Sequence, residues 1–587
     1  MKNSTRSVRF HASPILAVKL PAWRSRAILC LLFVAFLALL VRAIYLQAFS
    51  THFLQSQGDR RYAVNLDMPA TRGKITDRNG DVLASSIPAW SVGVEPEDFE
   101  GTPAEVAEVA RLLEMPQPEV QKRVADPVRK FVYLKRQVGA AAAQAIGKLG
   151  VPGLRLRKEF HREYPQGEMM AHVVGYTNVD DAGQEGIELA WQRSLAGQDG
   201  SRRVIRNRLG QPIEDVASIR VPHDGTDLTL SVDSRLQYLS FTELKKAIDQ
   251  YHAKAGAIVV IDVRTGEVLA LANLPTYDPN DRRKLNGEQL RNRVLTDTYE
   301  PGSTLKPFTV ALALDHGVIK PDTIIPTGAG KFAIGPNTIS DTHAHGNISV
   351  EEVIKYSSNI GAAKIALRMQ PKEMWELYTA VGLGQAPKWG FPGAAAGRVR
   401  PFAKWVTIDQ ATMGYGYGLS VSLIQIARAY TMFARDGEIV PLTFFRGQKA
   451  GPAPTVKGTQ VVSPVTAQAV RHMLEMAAGP GGTAPKAQVM GYRVAGKTGT
   501  AHKLAANHRY DANRYVGSFV GFAPVSNPRI VVAVMIDEPS TGTYYGGDVA
   551  APVFSAVVGG ALRTLNVEPD SPIKSLIIPP DALKETL

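Results

Sequence analysis

A chain of 587 residues is too long for one folding unit and leaves room for two to four at roughly 150 residues each, while 45% apolar and 21% charged residues exclude a collagenous, low-complexity or wholly disordered protein. A single cysteine, Cys30, excludes intramolecular disulfides and a thiolate zinc site. The formal net charge of +13 is spread along the chain without a nucleic-acid motif, so it points to a membrane or an acidic polymer and away from nucleic acid.

Residues 1–26 contain Lys2, Arg6, Arg9, Lys19, Arg24 and Arg26 and no acid. The run Ala27–Val41 is apolar throughout, and beyond Arg42 a second apolar piece covers Ala43–Phe49. About 20 such residues cross a bilayer core of about 30 Å. No small-x-small cleavage site follows, so the pattern predicts a basic cytoplasmic tail (1–26), an uncleaved single-span anchor (27–48) and everything after residue 50 outside the membrane, by the excess of positive charge on the inner side. Arg42 either snorkels to the interface or pairs with a polar group on a partner helix.

Residues 49–225 read as an irregular, Arg-rich pedestal or docking domain. Arg72–Ala84 predicts a hairpin around Asn79-Gly80, Pro103–Met115 a helix and Val132–Arg136 a strand. Paired charges and turn glycines between Arg162 and Leu189 suggest a structural ion-pair network; no nucleophile or metal constellation occurs in this region.

From residue 226 to 566 the pattern becomes that of one large domain. Leu228–Asp233 predicts a strand, Ser234–Tyr251 a helix, and Gly256–Ala272 two apolar strands around Arg264-Thr265-Gly266, a hairpin expected at the centre of a sheet. Then comes Tyr299-Glu-Pro-Gly-Ser-Thr-Leu-Lys-Pro-Phe308, a turn followed by a run that is apolar on nearly every side and closes at His316-Gly317, hence a buried helix. Ser303 falls at its expected N-cap and Lys306 one turn later. Low dielectric pushes a buried Lys toward the neutral amine that a general base requires, with a Ser hydroxyl in reach. The same spacing also describes a capping Ser and a surface Lys, and Ser571-Pro-Ile-Lys574 has it without an apolar helix behind.

Ser349–Glu352 has capping-box spacing, and the helix it starts reaches Ser357-Ser358-Asn359, either a polar step that aims side chains into a cleft or a plain turn. Asp341, His343 and His345 lie close in sequence, but three such residues are a weak signal and no metal is predicted. In Gly414-Tyr-Gly-Tyr-Gly-Leu419, Tyr415 and Tyr417 either wall a pocket or pack a loop. Gly479–Thr483 reads as a turn. Tyr492–Thr500 predicts an edge strand ending in Lys497-Thr498-Gly499-Thr500, whose small residues let a peptide lie against the backbone. Strands at 515–524 and 529–537, a closing helix at 548–565 and a Pro-rich tail from 567 to 587 complete the chain.

Ser-x-x-Lys, Ser-x-Asn and Lys-Thr-Gly in this order resemble the signature set of penicillin-binding proteins and class A β-lactamases, with Ser358 where that set has Asp. With the anchor, Arg72–Gly80, Asp297–Ser303, Gly414–Leu419 and Tyr544–Phe554, the chain resembles class B penicillin-binding proteins from about residue 25 to 565, most closely the septal peptidoglycan D,D-transpeptidases. The resemblance implies an α+β protein in which an antiparallel sheet is flanked by helices, with no cofactor. It implies Ser303 as nucleophile toward the penultimate D-Ala of a stem peptide and Lys306 as its base. Ser357 and Lys497 would relay a proton to the leaving amine, and Asn359 would hold the substrate amide. Thr498, Gly499 and Thr500 would bind the terminal carboxylate or its β-lactam mimic, with Tyr417 beside them and the Ser303 and Thr500 N–H groups as oxyanion hole. Expected partners are stem peptides, β-lactams, the membrane, a membrane glycosyltransferase and other division proteins. A β-lactamase needs Glu-x-x-x-Asn between the second and third motifs, and Glu373, Glu376, Glu438 and Glu475 all lack it. An elongation-type transpeptidase and a β-lactam sensor or scaffold remain as alternatives.

Overall fold

Whether these local signals assemble into one body depends on long-range pairing. A computed structural model describes residues 21–49, 63–125, 128–206, 212–283, 285–387, 389–446, 455–504 and 510–572. Most of the basic tail (residues 1–20), Lys574 of the second Ser-x-x-Lys and the tail beyond residue 572 lie outside the described residues. Contacts divide the chain into two compact units, and the stretch expected as one pedestal contributes to both.

The first unit takes in the chain up to Met68 and Asp199–Pro222. Its apolar run forms helix α1, Ala22–Ile44, which continues as a π turn over Tyr45–Phe49. The helix begins five residues before the apolar run, taking in Arg24 and Arg26, and over the span Ala22–Gln47, long and apolar enough to cross a membrane, no residue is buried against protein. Such a surface is stable only in an apolar solvent. The Arg42 guanidinium lies 5.7 Å from the Tyr45 ring. The strands Ala63–Met68, Gly200–Arg206 and Pro212–Arg220 make an antiparallel sheet in that order.

The second unit holds Pro69–Gln198 and the chain from His223 onward. Strands β1 (Ile75–Thr76) and β2 (Val82–Val94) form the predicted hairpin, with Gly80 supplying φ +97° at the turn. β2 then pairs antiparallel with β3 (Val132–Val138) and β4 (Leu154–Glu163), and β1 pairs parallel with β5 (Leu228–Thr229). The helix Pro103–Leu112 opens on a capping box between Thr102 and Glu105 and buries Val106 and Val109. The expected ion-pair cluster centres on Glu188, whose carboxylate accepts from Arg72 Nε at 2.6 Å and Arg162 Nε at 2.8 Å with side chains no more than 2% exposed. Both guanidinium groups also donate to backbone carbonyls, of Glu188 and of Gly73, so the buried donors are satisfied.

Asp77 joins the hairpin to the rest of the unit. Its buried carboxylate accepts N–H groups from Asn79 (2.7 Å), Asp81 (2.9 Å) and Ser234 (3.0 Å). Ser234 is the first residue of helix α2, Ser234–Tyr251, which Asp233 caps. The strand expected over Leu228–Asp233 ends at Thr229; beyond it Leu230 pairs with Phe445, the Ser231 N–H donates to the Phe444 carbonyl at 2.7 Å, and Asp233 serves as the cap.

The large sheet is antiparallel and contains β6 (Ala255–Asp262), β7 (Val268–Leu274), β8 (Ala495–Leu504), β9 (Tyr510–Ala523) and β10 (Ile530–Asp537) in the order β7-β6-β10-β9-β8. The β6–β7 hairpin was expected at the centre and stands at one edge instead: β10 inserts beside β6, and β7 has its outer side closed by Thr443, whose carbonyl accepts the Val268 N–H at 2.9 Å. Alternation along β6 sends Ile258 and Val260 into one apolar cluster and Ala257, Val259 and Ile261 into another. The first cluster is closed by α2 and by the C-terminal helix α8 (Ala551–Thr564). On the opposite face lie α3 (Lys306–Asp315), α4 (Val350–Lys355), α5 (Asn359–Ala366), α6 (Leu423–Ala434) and α7 (Pro464–Ala478), all contributing to the second.

Removing one partner of a buried, hydrogen-bonded ion cluster leaves the other charges uncompensated, at a cost of about 3–5 kcal/mol. Glu188→Ala is therefore expected to lower unfolding stability by that order in urea titration. Glu108→Ala, which breaks an exposed pair with Arg111, should change it by less than about 1 kcal/mol.

Candidate active site

The turn that precedes α3 is a 3-10 turn over Gly302–Leu305, so Ser303 sits inside it and does not cap the helix. Its hydroxyl thereby makes no capping bond to the helix backbone. From Lys306 to Ala313 every residue of α3 is buried, as an all-round apolar run requires.

Lys306 is fully buried, and its Nζ lies 2.9 Å from Ser303 Oγ, 3.1 Å from Ser357 Oγ and 2.8 Å from Asn359 Oδ1, with the Ser357 carbonyl oxygen also in contact. Two of these four oxygens, the Ser357 carbonyl and Asn359 Oδ1, only accept. A neutral amine gives them its two N–H bonds and keeps its lone pair for the Ser303 hydroxyl proton. Burial, reinforced by the Lys497 charge, holds Lys306 well below the usual lysine range; Asp341 opposes the shift more weakly.

Ser357 adopts φ +62°, a left-handed conformation that costs a non-glycine residue about 1–3 kcal/mol unless its neighbours enforce it. The enforcement comes from both sides. The capping box of Ser349 and Glu352 fixes α4 before it, and Ser358 caps α5 after it by accepting the Gly361 N–H at 2.8 Å. Asp341 locks the step: its carboxylate accepts the Ser358 hydroxyl at 2.6 Å and the N–H groups of Asn359 (2.5 Å) and Ile360 (3.0 Å). Considered in the sequence beside His343 and His345 as a possible metal ligand, Asp341 instead holds a loop, while His345 stacks on Tyr356. Asn359 is committed at both ends, accepting from Lys306 and donating Nδ2 to the Ser340 carbonyl at 3.0 Å, which leaves one Nδ2 hydrogen uncommitted among the described residues.

Strand β8 is an edge strand, as predicted, paired among the described residues only with β9. Lys497 on it is fully buried, with Nζ 3.1 Å from Thr498 Oγ1 and 3.3 Å from Thr483 Oγ1; burial lowers its pKa to about 7. Thr498 Oγ1 is also 3.3 Å from Thr483 Oγ1, and Thr500 Oγ1 accepts the Gly546 N–H at 3.1 Å. The turn holding Ser303 lies directly against this strand. A methyl group at Gly499 would stand 2.8 Å from the Pro301 carbonyl oxygen and 2.4 Å from Ser518 Oγ. At Gly416, where φ is +94°, it would meet the Gly302 oxygen at 2.0 Å. Glycine is thus required where the loop 414–419, the Ser303 turn and β8 meet, and the Gly302 N–H donates to the Gly416 carbonyl at 3.1 Å.

Tyr417 packs with Tyr415 and, edge-on, with Tyr510, each ring pair 5.7 Å apart, and no hydrogen bond joins it to Ser303 among the described residues. Glu300 braces this aromatic cluster, accepting the Gly418 N–H at 2.7 Å and the Tyr510 hydroxyl at 3.2 Å, and burial raises its pKa. The structure therefore brings Ser303, Lys306, Ser357 and Asn359 around one nitrogen, places Lys497, Thr498, Gly499 and Thr500 on the adjoining strand, and leaves Tyr417 to one side. Sequence reasoning missed Thr483, the bracing Glu300 and Tyr510, and the anchoring role of Asp341. Thr483 had only a turn signal from Gly479–Gly482. Glu300 stood inside the quoted motif without a role.

The family model described as the penicillin-binding protein transpeptidase domain matches residues 256–559, and that of the penicillin-binding protein dimerisation domain matches residues 67–230. The chain is 42% identical over 549 residues to a protein of Neisseria gonorrhoeae named probable peptidoglycan D,D-transpeptidase PenA, covering 93% of each chain. It is 39% identical over 558 residues to the peptidoglycan D,D-transpeptidase FtsI of Escherichia coli strain K12, covering 94% of this chain and 93% of that one. Among solved structures, the apo transpeptidase domain of Burkholderia pseudomallei penicillin-binding protein 3 is 56% identical with a TM-score of 0.53, covering 58% of this chain and 98% of its own.

Burial of Lys497 carries a stability signature. With a folded pKa of about 7 against about 10.4 in the unfolded chain, the unfolded state binds the extra proton between these values, so this group's contribution to stability rises with pH across that window, by up to about 1.4 kcal/mol per pH unit. Below about pH 7 both states are protonated and the slope vanishes. Urea titrations from pH 7 to 10 are expected to show wild type gaining stability relative to Lys497→Met as pH rises; a difference independent of pH would mean that Lys497 stays charged in the fold.

Proposed function

The chain belongs to the penicillin-binding protein transpeptidase family, and from that premise we propose that it is a membrane-anchored peptidoglycan D,D-transpeptidase that cross-links stem peptides during septum formation and is covalently inhibited by β-lactams. The observation that carries the reading is the 2.9 Å approach of Lys306 Nζ to Ser303 Oγ in a fully buried setting.

In the proposed reaction Lys306 takes the Ser303 hydroxyl proton as Oγ attacks the carbonyl of the penultimate D-Ala. The Ser303 and Thr500 N–H groups stabilise the resulting oxyanion; one such donor is worth about 3 kcal/mol in the transition state. The peptide C–N bond breaks, an ester to Ser303 remains, and the proton passes from Lys306 through Ser357, 3.1 Å away, to the departing D-Ala amine. Lys497, in its protonated form, supplies the positive charge beside the terminal carboxylate, which Thr498 and Thr500 hold. Asn359 donates its remaining amide hydrogen to the substrate backbone. An amine of a second stem peptide then attacks the ester, Lys306, neutral again, takes the proton that this amine loses and passes it to Ser303 Oγ as the C–O bond breaks, and the cross-link is released. With no Glu-x-x-x-Asn between the second and third motifs to activate water, the ester waits for that amine.

The anchor and the basic residues that flank it support a single pass through the inner membrane with the N-terminus inside and the catalytic unit outside. The septal role rests on the quoted motifs and on similarity along nearly the whole chain to FtsI, with a membrane glycosyltransferase and other division proteins as partners.

Fluorescent penicillin is expected to label the wild-type protein and Ser571→Ala equally and to leave Ser303→Ala unlabelled. Supplied with lipid II and an active glycan polymerase, wild type should form cross-links and Ser303→Ala none; normal labelling without cross-links would favour a sensor. In dividing cells a fluorescent fusion should concentrate at midcell, and an even distribution along the lateral wall would favour the elongation role.

A further inference from the structure

Away from the Ser303 site, a cleft of about 260 Å³ lies where the segment after Val381 crosses α6, with Gly382, Gln385, Trp389, Gln425, Arg428 and Leu442 in its walls. The cleft is held open by a fixed frame. Gln425, 3% exposed, donates Nε2 to the carbonyl oxygens of Gln385 (2.8 Å), Ala396 (2.8 Å) and Gly382 (3.1 Å), and its Oε1 accepts the Ser422 N–H at 2.8 Å, fastening the loop to the helix. Trp389 is fixed by stacking on Phe444, with ring centroids 4.7 Å apart.

Two groups in this frame lack the partners that a closed structure would give them. The Arg428 guanidinium donates Nε to the Val440 carbonyl at 3.0 Å, and among the described residues it has no carboxylate partner. Burial alone, with no nearby acid to offset it, pulls its pKa below the usual arginine value. The indole N–H of Trp389 is buried without an acceptor among the described residues. Two other largely buried guanidinium groups of this unit are matched to acids, Arg529 to Asp262 and Arg435 to Glu438. An unmatched guanidinium at the wall of a cleft is a fork of donors ready for a carboxylate.

We propose that this cleft binds a small organic carboxylate, its acid group on Arg428 and its apolar body against Leu442 and the ring of Trp389. The volume sets the size, since it is smaller than that of a typical drug-sized pocket and fits an acyl amino acid or one acidic side chain. The apolar walls set the class, because a hydrated inorganic anion gains nothing from them.

The test is isothermal titration of the full-length chain in detergent micelles after acylation with benzylpenicillin, so that the Ser303 site is filled. Mass spectrometry of the acylated protein reports any failure of the Ser303 reading separately. The probes are N-acetyl-leucine, N-acetyl-leucinamide and inorganic phosphate. The acid is expected to bind at least tenfold more tightly than either of the others, and Arg428→Met to weaken it at least tenfold with penicillin labelling unchanged. Arg428→Lys, which keeps the charge and loses the fork, should weaken it about fivefold and serves if the Met variant does not fold. No acid binding at millimolar concentration, equal binding of acid and amide, or acid binding unaffected by both substitutions would overturn the proposal. Phosphate binding as tightly as the acid would overturn the organic-acid assignment.

Discussion

Two lysine nitrogens are held out of water in one catalytic unit, and much of the architecture can be understood as the means of holding them there. Taking an ammonium from water into a protein interior costs several kcal/mol, which favours the neutral amine. Lys306 keeps its place because the seven residues that follow it on α3 are buried and five of them belong to the largest apolar cluster among the described residues, so the helix cannot withdraw without exposing that cluster. Lys497 keeps its place because β8 is anchored by β9 along ten residues of strand. The two strong pKa depressions therefore come from packing that is remote from the reacting atoms. At Lys306 the neighbouring Lys497 charge adds to burial as the second-largest cause of the shift, whereas at Lys497 burial alone lowers the pKa.

The geometry around Lys306 also explains why a left-handed serine is tolerated. Ser357 must present both its carbonyl and its hydroxyl oxygen to one nitrogen, and ordinary helical backbone would carry one of them away. Breaking the helix between α4 and α5 and pinning the break through Asp341 solves this at a cost that three hydrogen bonds to one carboxylate can offset.

What could be read from the sequence divides along the range of the interaction. α3, the capping box at Ser349 and the Asn79-Gly80 hairpin were legible because each is specified within a few residues by periodicity, a cap or a turn. Ser303, Lys306, Ser357, Asn359 and Lys497 were legible only together, through the order of three short motifs. The edge position of the β6–β7 hairpin was not legible, since it depends on β10 pairing with β6 across more than 260 residues of chain, as Ile530 opposite Asp262 illustrates. The anchoring role of Asp341 was not legible because its partners are mostly backbone N–H groups, which leave no signature in the sequence. Thr483 reaches Lys497 from 14 residues away in the chain, through a glycine-rich turn that discloses direction but not destination.

The bond from the Ser234 N–H to the Asp77 carboxylate links residues 157 positions apart. A chain synthesised from its N-terminus presents Asp77 long before Ser234 exists, so the hairpin at Asn79-Gly80 can form early while its carboxylate still faces water. Only when α2 emerges does the buried site around Asp77 close, and the Asn79-Gly80 hairpin becomes tied to the first residue of that helix. The order of synthesis thus imposes an order of assembly: the hairpin's buried carboxylate is completed only after α2 has been made, and a nascent chain arrested between the two would carry Asp77 as an incompletely satisfied acid.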